Sequence, residues 1–179
     1  MRIIGGAYKR RILKPPGGLP VRPTTDLAKE ALFNIMQNYI NWDGKSGLDL
    51  FSGTGSIAFE LSSRGCASVT AVDMNQHCIS WLKKGSGELH LENLKVKRSD
   101  VFRFVRQTPE KYDFIFADPP YQMSNFIDLV QLIFENELLK SSGLLVIEHP
   151  ESVDLSDFKE FFQHRKYGKV NFSFFQLEP

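Results

Sequence analysis

The feature of this sequence that most constrains its fold is an alternation of short strand-like runs with stretches of helical spacing. Five runs are rich in β-branched or other apolar residues, and helical stretches follow the first, second and fourth of them. Parallel strands need long crossover connections, which helices usually provide, so the alternation predicts an α/β fold with a mostly parallel sheet and helices on both faces. The runs are GLDLF (47–51), SVTAVD (68–73), LKVKRSD (94–100), YDFIFAD (112–118) and GLLVIEH (143–149).

Each end of the alternation carries a further element. A helix is predicted after Thr25 and Asp26, which favour a helix start by capping and by charge. Residues 162–176 contain two extended segments that turn at Gly168, so we expect a hairpin that adds an antiparallel strand to the sheet. The apolar positions with helical spacing after Asp26 are Leu27, Ala31, Leu32, Ile35, Met36 and Tyr39.

The charge distribution divides the chain unevenly. With 179 residues, 42% of them hydrophobic, the chain suits one well-filled core. The net charge of +1 conceals six cations that all precede the first acid, Asp26. We therefore expect a basic N-terminal arm and crossing loop over residues 1–25 and a single domain over residues 26–179, with the arm suited to a polyanion. The six cations are Arg2, Lys9, Arg10, Arg11, Lys14 and Arg22.

Cysteine usage and hydropathy bear on the cellular setting. Cys66 and Cys78 are too few for a disulfide framework and lack zinc-ligand spacing, so we expect packing roles, a reducing cytoplasm and no metal site. No stretch has the apolar core of a signal peptide or the length of a membrane span. A cytoplasmic protein follows as the expectation, and its size favours a monomer.

The predicted strand ends carry glycines and acids, and ligands of such sheets bind at the carboxyl ends of the strands. Gly53 and Gly55 follow the first strand, where they permit a tight turn that exposes backbone N–H groups to a ligand. Asp73 ends the second strand, twenty residues beyond Gly53, and its carboxylate suits the two hydroxyls of a ribose. Acids at four strand ends indicate a ligand site at one edge of the sheet. They are Asp49, Asp73, Asp100 and Asp118.

Two other classes of protein fit part of this pattern. Gly53-x-Gly55-x-x-Ala58 with Asp73 matches the dinucleotide fingerprint, so a small NAD-dependent reductase is one alternative. Against it, a Tyr-x-x-x-Lys pair is missing, there is little chain for a substrate domain, and clustered carboxylates would repel a pyrophosphate. A non-catalytic nucleotide-binding module is the other alternative, but it leaves the sequence DPPY (118–121) without a role.

Taken together, these segments resemble known enzymes. DLFSGTGSIAFE, AVD, SDVF and DPPY resemble the motif series of class I S-adenosylmethionine-dependent methyltransferases, and DPPY resembles the element of their amino-methylating branch. More specifically, MRIIGGAYKRRIL, VRPTTDLAKEALFNIM and FADPPY, in this order, resemble the RsmD family of bacterial 16S rRNA guanine-N2 methyltransferases. The resemblance spans nearly the whole chain. It implies a seven-stranded Rossmann-like sheet whose last strand is antiparallel.

The resemblance also implies a role for each site residue. A guanine amine is a poor nucleophile because its lone pair is delocalised into the ring. The Asp118 carboxylate and the Pro119 carbonyl would accept its two N–H bonds, and Tyr121 would stack on the base. The cofactor implied is S-adenosylmethionine, and the partner is 16S rRNA, either within the small ribosomal subunit or in an assembly intermediate. The cofactor would be bound by Asp49, Phe51, Gly53 and Gly55 at the methionine end, Asp73 at the ribose, and Asp100 and Val101 at the adenine.

The basic arm would then contact RNA phosphates through Arg2, Lys9, Arg10, Arg11 and Arg22. Because DPPY also occurs in DNA-adenine methyltransferases, methylation of adenine in DNA or of another amine is the alternative within the same class. The sequence departs from the family pattern in two places. Thr54 stands between the loop glycines, which the turn should tolerate, and Gly85 and Gly87 predict a break in the helix that follows Asp73.

Overall fold

One sheet of seven strands runs through the part of the chain that the computed structural model describes, residues 1–19 and 25–178. The strands are β1 (Ser46–Leu50), β2 (Ser68–Asp73), β3 (Leu94–Arg98), β4 (Tyr112–Ala117), β5 (Leu139–His149), β6 (Phe161–Tyr167) and β7 (Val170–Gln176). Across the sheet their order is β3-β2-β1-β4-β5-β7-β6. The first five strands pair in parallel, whereas β7 pairs antiparallel with both β5 and β6. The predicted mostly parallel sheet with an antiparallel C-terminal strand is confirmed.

The strand order reverses between β1 and β4. From β1 the chain proceeds to β2 and β3 on one side, and it then crosses to β4 and β5 on the other side. Loops leave the two central strands in opposite directions at such a point, which opens a crevice at the carboxyl ends of β1 and β4. The strand order therefore provides a ligand site at the edge that carries the predicted residues.

Helices cover both faces of the sheet, as predicted. The first three helices pack with Phe114 and Phe174 on one face, and the last two pack with Ile115 and Leu145 on the other. The helix between the third and fourth strands was not predicted, because its seven residues are too few for a clear apolar period. The described residues form α1 (Asp26–Met36), α2 (Ser56–Ser63), α3 (Gln76–Glu88), α4 (Val101–Gln107) and α5 (Phe126–Glu135).

Two predictions about helices have opposite outcomes. The predicted start of α1 is confirmed, because the Ala28 N–H donates to the Thr25 side chain over 3.2 Å.

The predicted break in α3 is wrong, because this helix runs without interruption through Gly85 and Gly87. A Cβ atom at Gly85 would lie 2.7 Å from the Phe59 ring. Close packing of α3 on α2 therefore requires this glycine and offsets its low helix propensity, which costs about 1 kcal/mol.

The N-terminal residues pack against α2. The N–H groups of Ile4 and Gly5 donate to the two carboxylate oxygens of Glu60 over 2.8 and 2.7 Å. Ile3 and Leu13 on either side are buried in the core. The segment is thereby attached to the sheet domain by backbone hydrogen bonds as well as by apolar contacts.

Other features of the chain ends complete the fold. The C-terminal hairpin turns at Gly168, which has a φ of 62°, as predicted. Arg22 lies outside the described residues, and the division of the chain into an arm (1–25) and a domain (26–179) stays a prediction. Among the helices of residues 1–19 and 25–178, none is long and apolar enough to cross a membrane.

The Glu60 carboxylate is the central group of this attachment and gives a prediction for stability. It is fully buried and contacts Arg64 Nε at 2.8 Å and Lys29 Nζ at 3.7 Å. Glu60→Ala would leave two cations without their counter-ion and two N–H groups without their acceptor, so we expect a loss of about 3–5 kcal/mol in the free energy of unfolding, measured in urea. The exposed ion pair of Glu88 with Lys84 provides the control, and Glu88→Ala should cost less than about 0.5 kcal/mol. Equal losses in the two variants would contradict this account.

Candidate active site

The loop after β1 adopts a backbone conformation that glycine favours. Gly53 and Gly55 have φ angles of 52° and 77°, and Phe51 also has a positive φ, at 61°. A Cβ atom at Gly55 would lie 2.3 Å from a methyl carbon of Leu82, so both φ and space exclude a side chain there. The Trp81 indole N–H donates to the Thr54 carbonyl over 2.9 Å and fixes the tip of the loop. The loop is held in place before any ligand binds.

Asp73 at the end of β2 ties this loop to the neighbouring strand. One carboxylate oxygen accepts the Gly53 N–H and the other accepts the Asn75 N–H, both over 2.8 Å. Each carboxylate oxygen has two lone pairs, so the group keeps acceptor capacity for ribose hydroxyls. The structure thus brings Asp73 to the glycine loop and gives it a second task, which is to shape that loop.

Asp49 lies beneath the same loop and is almost completely buried. Its carboxylate accepts the Ala58 N–H at the start of α2 over 3.0 Å, and its carbonyl accepts the Ser52 hydroxyl over 2.8 Å. Burial, and to a smaller degree the charge of Asp73, raises the pKa of Asp49 to about 7. The group is therefore poised to change its charge near neutral pH, and a cation bound beside it would favour the ionised form.

The DPPY segment begins one residue beyond β4. The Asp118 N–H donates to the Leu50 carbonyl over 3.3 Å, which brings the turn against β1, and the Met123 N–H closes the turn on the Pro120 carbonyl over 2.8 Å. Pro119 is buried, whereas Tyr121 is 40% exposed and can offer its ring to a ligand. The turn thus presents a carboxylate and an aromatic ring at the carboxyl edge of the sheet.

The electrostatics of this turn are dominated by acids. Burial raises the pKa of Asp118 well above its usual range, and the nearby carboxyls of Glu148 and Asp49 raise it further. Glu148, at the end of β5, is buried and accepts the Tyr121 hydroxyl over 3.2 Å. Sequence reasoning missed Glu148, although an acid inside the apolar run GLLVIEH (143–149) was the available signal.

The structure places Asp100 and Val101 at the carboxyl end of β3, on the same edge. The Asp100 carboxylate accepts the Arg103 N–H over 2.9 Å and caps α4. The neighbouring Ser99 N–H donates to the Asp73 carbonyl over 3.1 Å, which connects this turn to the end of β2. Every predicted cofactor residue therefore lies along one edge of the sheet, from β3 to β1.

The predicted RNA-binding residues lie elsewhere. Lys9, Arg10 and Arg11 are exposed beside a turn that packs on the C-terminal end of α2, where the Tyr8 N–H donates to the Ser63 hydroxyl over 3.0 Å. The eight residues of α2 span about 12 Å, and the glycine loop lies at its other end. Arg2 is exposed near α1, and its Nε lies 3.6 Å from Asp26. The structure therefore does not bring the basic arm to the carboxyl edge of the sheet.

Comparison with known proteins identifies the family. The family model described as "Conserved hypothetical protein 95" matches residues 1–176. "Putative rRNA methyltransferase YlbH" of Bacillus subtilis is 37% identical over 88% of this chain and 86% of that protein. "Ribosomal RNA small subunit methyltransferase D" of Escherichia coli strain K12 is 32% identical over 83% of this chain and 74% of its own length. The solved structure of yhhF from Escherichia coli has a TM-score of 0.87 and 28% identity, and it covers 99% of this chain and 98% of that chain.

The strand order and the loop and acids at its carboxyl edge define a class I methyltransferase fold. S-adenosylmethionine is the cofactor of this class, and a sheet edge that carries several acids suits its two cationic groups, so the cofactor prediction is confirmed. The chain belongs to the "Conserved hypothetical protein 95" family, the RsmD family of rRNA methyltransferases. This membership argues against the NAD-dependent reductase and the non-catalytic module.

The raised pKa of Asp49 predicts how cofactor affinity depends on pH. Below about pH 7 the carboxyl is largely protonated, so binding of the cationic cofactor should weaken by up to tenfold per pH unit as the pH falls, and it should level off above that value. Asp49→Asn should bind more weakly at high pH and lose most of the pH dependence. Calorimetric titration between pH 5.5 and 8.5 would measure both, with Asp128→Asn on the exposed face of α5 as the control. If Asp49→Asn kept the pH dependence of the unmodified protein, Asp49 would not be the group that controls cofactor binding.

Proposed function

We propose that the protein transfers a methyl group from S-adenosylmethionine to the exocyclic N2 amine of a guanine in 16S rRNA, in the cytoplasm and as a monomer. The observation that carries this proposal is the DPPY turn at the carboxyl end of β4, beside the glycine loop at the point where the strand order reverses. The names of its relatives support rRNA of the small subunit as the substrate class. The choice of guanine N2 rests on the resemblance of nearly the whole chain to the RsmD family, because the DPPY turn by itself indicates only an amine acceptor.

The chemistry required of this chain is mainly orientation. When bound, S-adenosylmethionine supplies a methyl group already activated by its sulfonium. The Asp118 carboxylate and the Pro119 carbonyl would accept the two N–H bonds of the amine, which favours a tetrahedral nitrogen with an available lone pair. Two prolines in succession fix the backbone φ, so the direction of the Pro119 carbonyl is set in advance. Tyr121, half-exposed at the pocket rim, would stack on the base once it leaves its helix.

The cofactor residues would divide the ligand between them. Asp49 and the loop from Phe51 to Gly55 would hold the methionine end, where the carboxylate favours an ammonium group. Asp73 would accept the ribose hydroxyls, and the turn at Asp100 and Val101 would contact the adenine. The hydrogen bonds that hold the Asp73 carboxylate beside the Gly53 N–H support the assignment of this edge to the cofactor.

The experiment that tests the proposal uses purified protein, labelled S-adenosylmethionine and three acceptors: unmodified small ribosomal subunits, naked 16S rRNA and duplex DNA. We expect label in N2-methylguanosine from ribosomal RNA, identified by nucleoside analysis. Label in adenine of DNA would overturn the substrate and favour the alternative within the class. The comparison of subunits with naked RNA determines which assembly state is recognised.

Substitution of Asp118 tests the role of the turn. Asp118→Ala removes an acceptor for the amine, so kcat should fall by at least about 100-fold. Asp118→Asn keeps an acceptor oxygen and should retain more activity than the alanine variant. Cofactor affinity, measured by calorimetry, should remain within a few-fold in both variants. Full activity in Asp118→Ala would remove Asp118 from the proposed mechanism.

The basic arm gives a separate prediction. If the exposed turn of Lys9, Arg10 and Arg11 contacts phosphates, replacing all three by alanine should weaken RNA binding and make its dependence on salt concentration less steep. Binding titrations between 50 and 300 mM salt measure the slope. Replacement of Lys83 and Lys84 on α3 is the control, and it should change the slope less. An unchanged slope in the triple variant would exclude the arm as an RNA contact.

A further inference from the structure

Glu148 is a buried acid in the proposed active site to which the sequence motifs assign no role. It follows four buried apolar residues of β5, Leu144 to Ile147, and only 6% of its own surface is exposed. Its carboxylate accepts the Tyr121 hydroxyl over 3.2 Å. A buried carboxylate in a strand is unfavourable unless other groups compensate for it, so a structural role alone is a weak reason for an acid at this position.

The sheet places Glu148 beside Asp118. In the parallel pair of β4 and β5, Ala117 is the register partner of Ile147, so Asp118 and Glu148 occupy the next matching positions. Side chains at matching positions of paired strands point to the same face of the sheet. The acids that face Asp118 are therefore Glu148 from β5 and Asp49 from β1. Burial is the largest cause of the raised pKa of Asp118, and the charges of these two acids raise it further.

We propose that Glu148 is a positioning residue of the amine pocket, which holds Tyr121 in place through its hydroxyl and controls the protonation of Asp118 through its charge. One carboxylate thus acts on both groups that would contact the base. The hydrogen bond restricts the Tyr121 ring, which is 40% exposed at the carboxyl edge of the sheet. The negative charge adds to the effect of burial on the proton affinity of Asp118, so it raises further the pH above which Asp118 is an ionised acceptor.

Two substitutions separate these effects. Glu148→Gln keeps an oxygen that can accept the Tyr121 hydroxyl but removes the charge. Tyr121→Phe keeps the charge and the ring but removes the hydroxyl. The chain also offers a matched control, since the Tyr112 hydroxyl donates to Glu110 over 3.1 Å at the opposite end of β4. Glu110→Gln therefore alters a similar tyrosine–glutamate pair far from the pocket.

The first measurement needs no substrate. Carboxyl carbon NMR of the protein labelled at aspartate and glutamate follows the titration of Asp118 directly. Removing a like charge lowers the pKa of its neighbour, so we expect the Asp118 titration in Glu148→Gln to move toward acid by about one pH unit or more. Glu110→Gln and Tyr121→Phe should leave it in place. An Asp118 titration that does not move in Glu148→Gln overturns the electrostatic part of the proposal.

The second measurement uses methyl transfer. In Glu148→Gln the acid limb of kcat/KM should move to lower pH by the same amount, because Asp118 ionises earlier. In Tyr121→Phe the limb should stay in place, while KM for the acceptor rises more than kcat falls. The proposal is overturned if the acid limb stays in place in Glu148→Gln or moves in Tyr121→Phe. It is also overturned if KM for the acceptor is unaltered in Tyr121→Phe.

This inference rests on the proposed function for the identity of the acceptor, and the two measurements distinguish their failures. An Asp118 titration that moves in Glu148→Gln supports the coupling even if no rRNA is methylated, in which case the proposed substrate is what fails. Methylation of rRNA with no response in Glu148→Gln confirms the substrate and overturns the role of Glu148.

Discussion

Parallel pairing of β1 with both β2 and β4 brings the central polar groups of the site together. Leu50 is the register partner of Val72 on one side and of Ala117 on the other. The next residues, which are Phe51, Asp73 and Asp118, therefore emerge at the same height on the carboxyl edge. Since helices cover both faces of the sheet, this edge is where a ligand can reach three strand ends at once. Residues far apart in the chain become a site because three strands share a direction.

The carboxylates at the two edges of the sheet have opposite pKa shifts. At the amino edge burial would raise the pKa of Asp113, but hydrogen bonds from Lys140 and Ser46 outweigh burial and hold the pKa below its usual range. At the carboxyl edge, no ion pair joins Asp49 or Asp118 to a cation within residues 1–19 and 25–178, and both pKa values are raised. The Lys140 cation that stabilises the Asp113 carboxylate thus has no counterpart beside Asp49 or Asp118 in the described part of the chain. A cationic ligand can supply it, so the carboxyl edge gives up stability in the free protein in favour of binding.

The parts of this molecule that the sequence predicted are those that depend on local pattern. Strand-like runs, the glycine turn and acids at strand ends are periodic or short-range features, and they placed Asp49, Asp73 and Asp118 on one edge correctly. Glu148 was missed because its importance depends on β5 lying next to β4, which only the strand order reveals. Gly85 was misjudged because helix propensity is local, whereas its packing against Phe59 is tertiary. What the sequence could not predict was which distant elements become neighbours.

The fixed attachment of the N-terminal segment affects how an RNA substrate could be recognised. A flexible basic tail would bind phosphates at any distance from the pocket, whereas this segment is bonded through Ile4 and Gly5 to a buried carboxylate of α2. Its exposed cations therefore have a set position relative to the glycine loop, which lies at the other end of α2, a helix about 12 Å long. An RNA that contacts both the site and the arm must therefore have a fixed distance between the base that enters the site and the phosphates that bind the arm. Selection by shape then needs no contact with other bases, which is how proteins commonly recognise structured RNA.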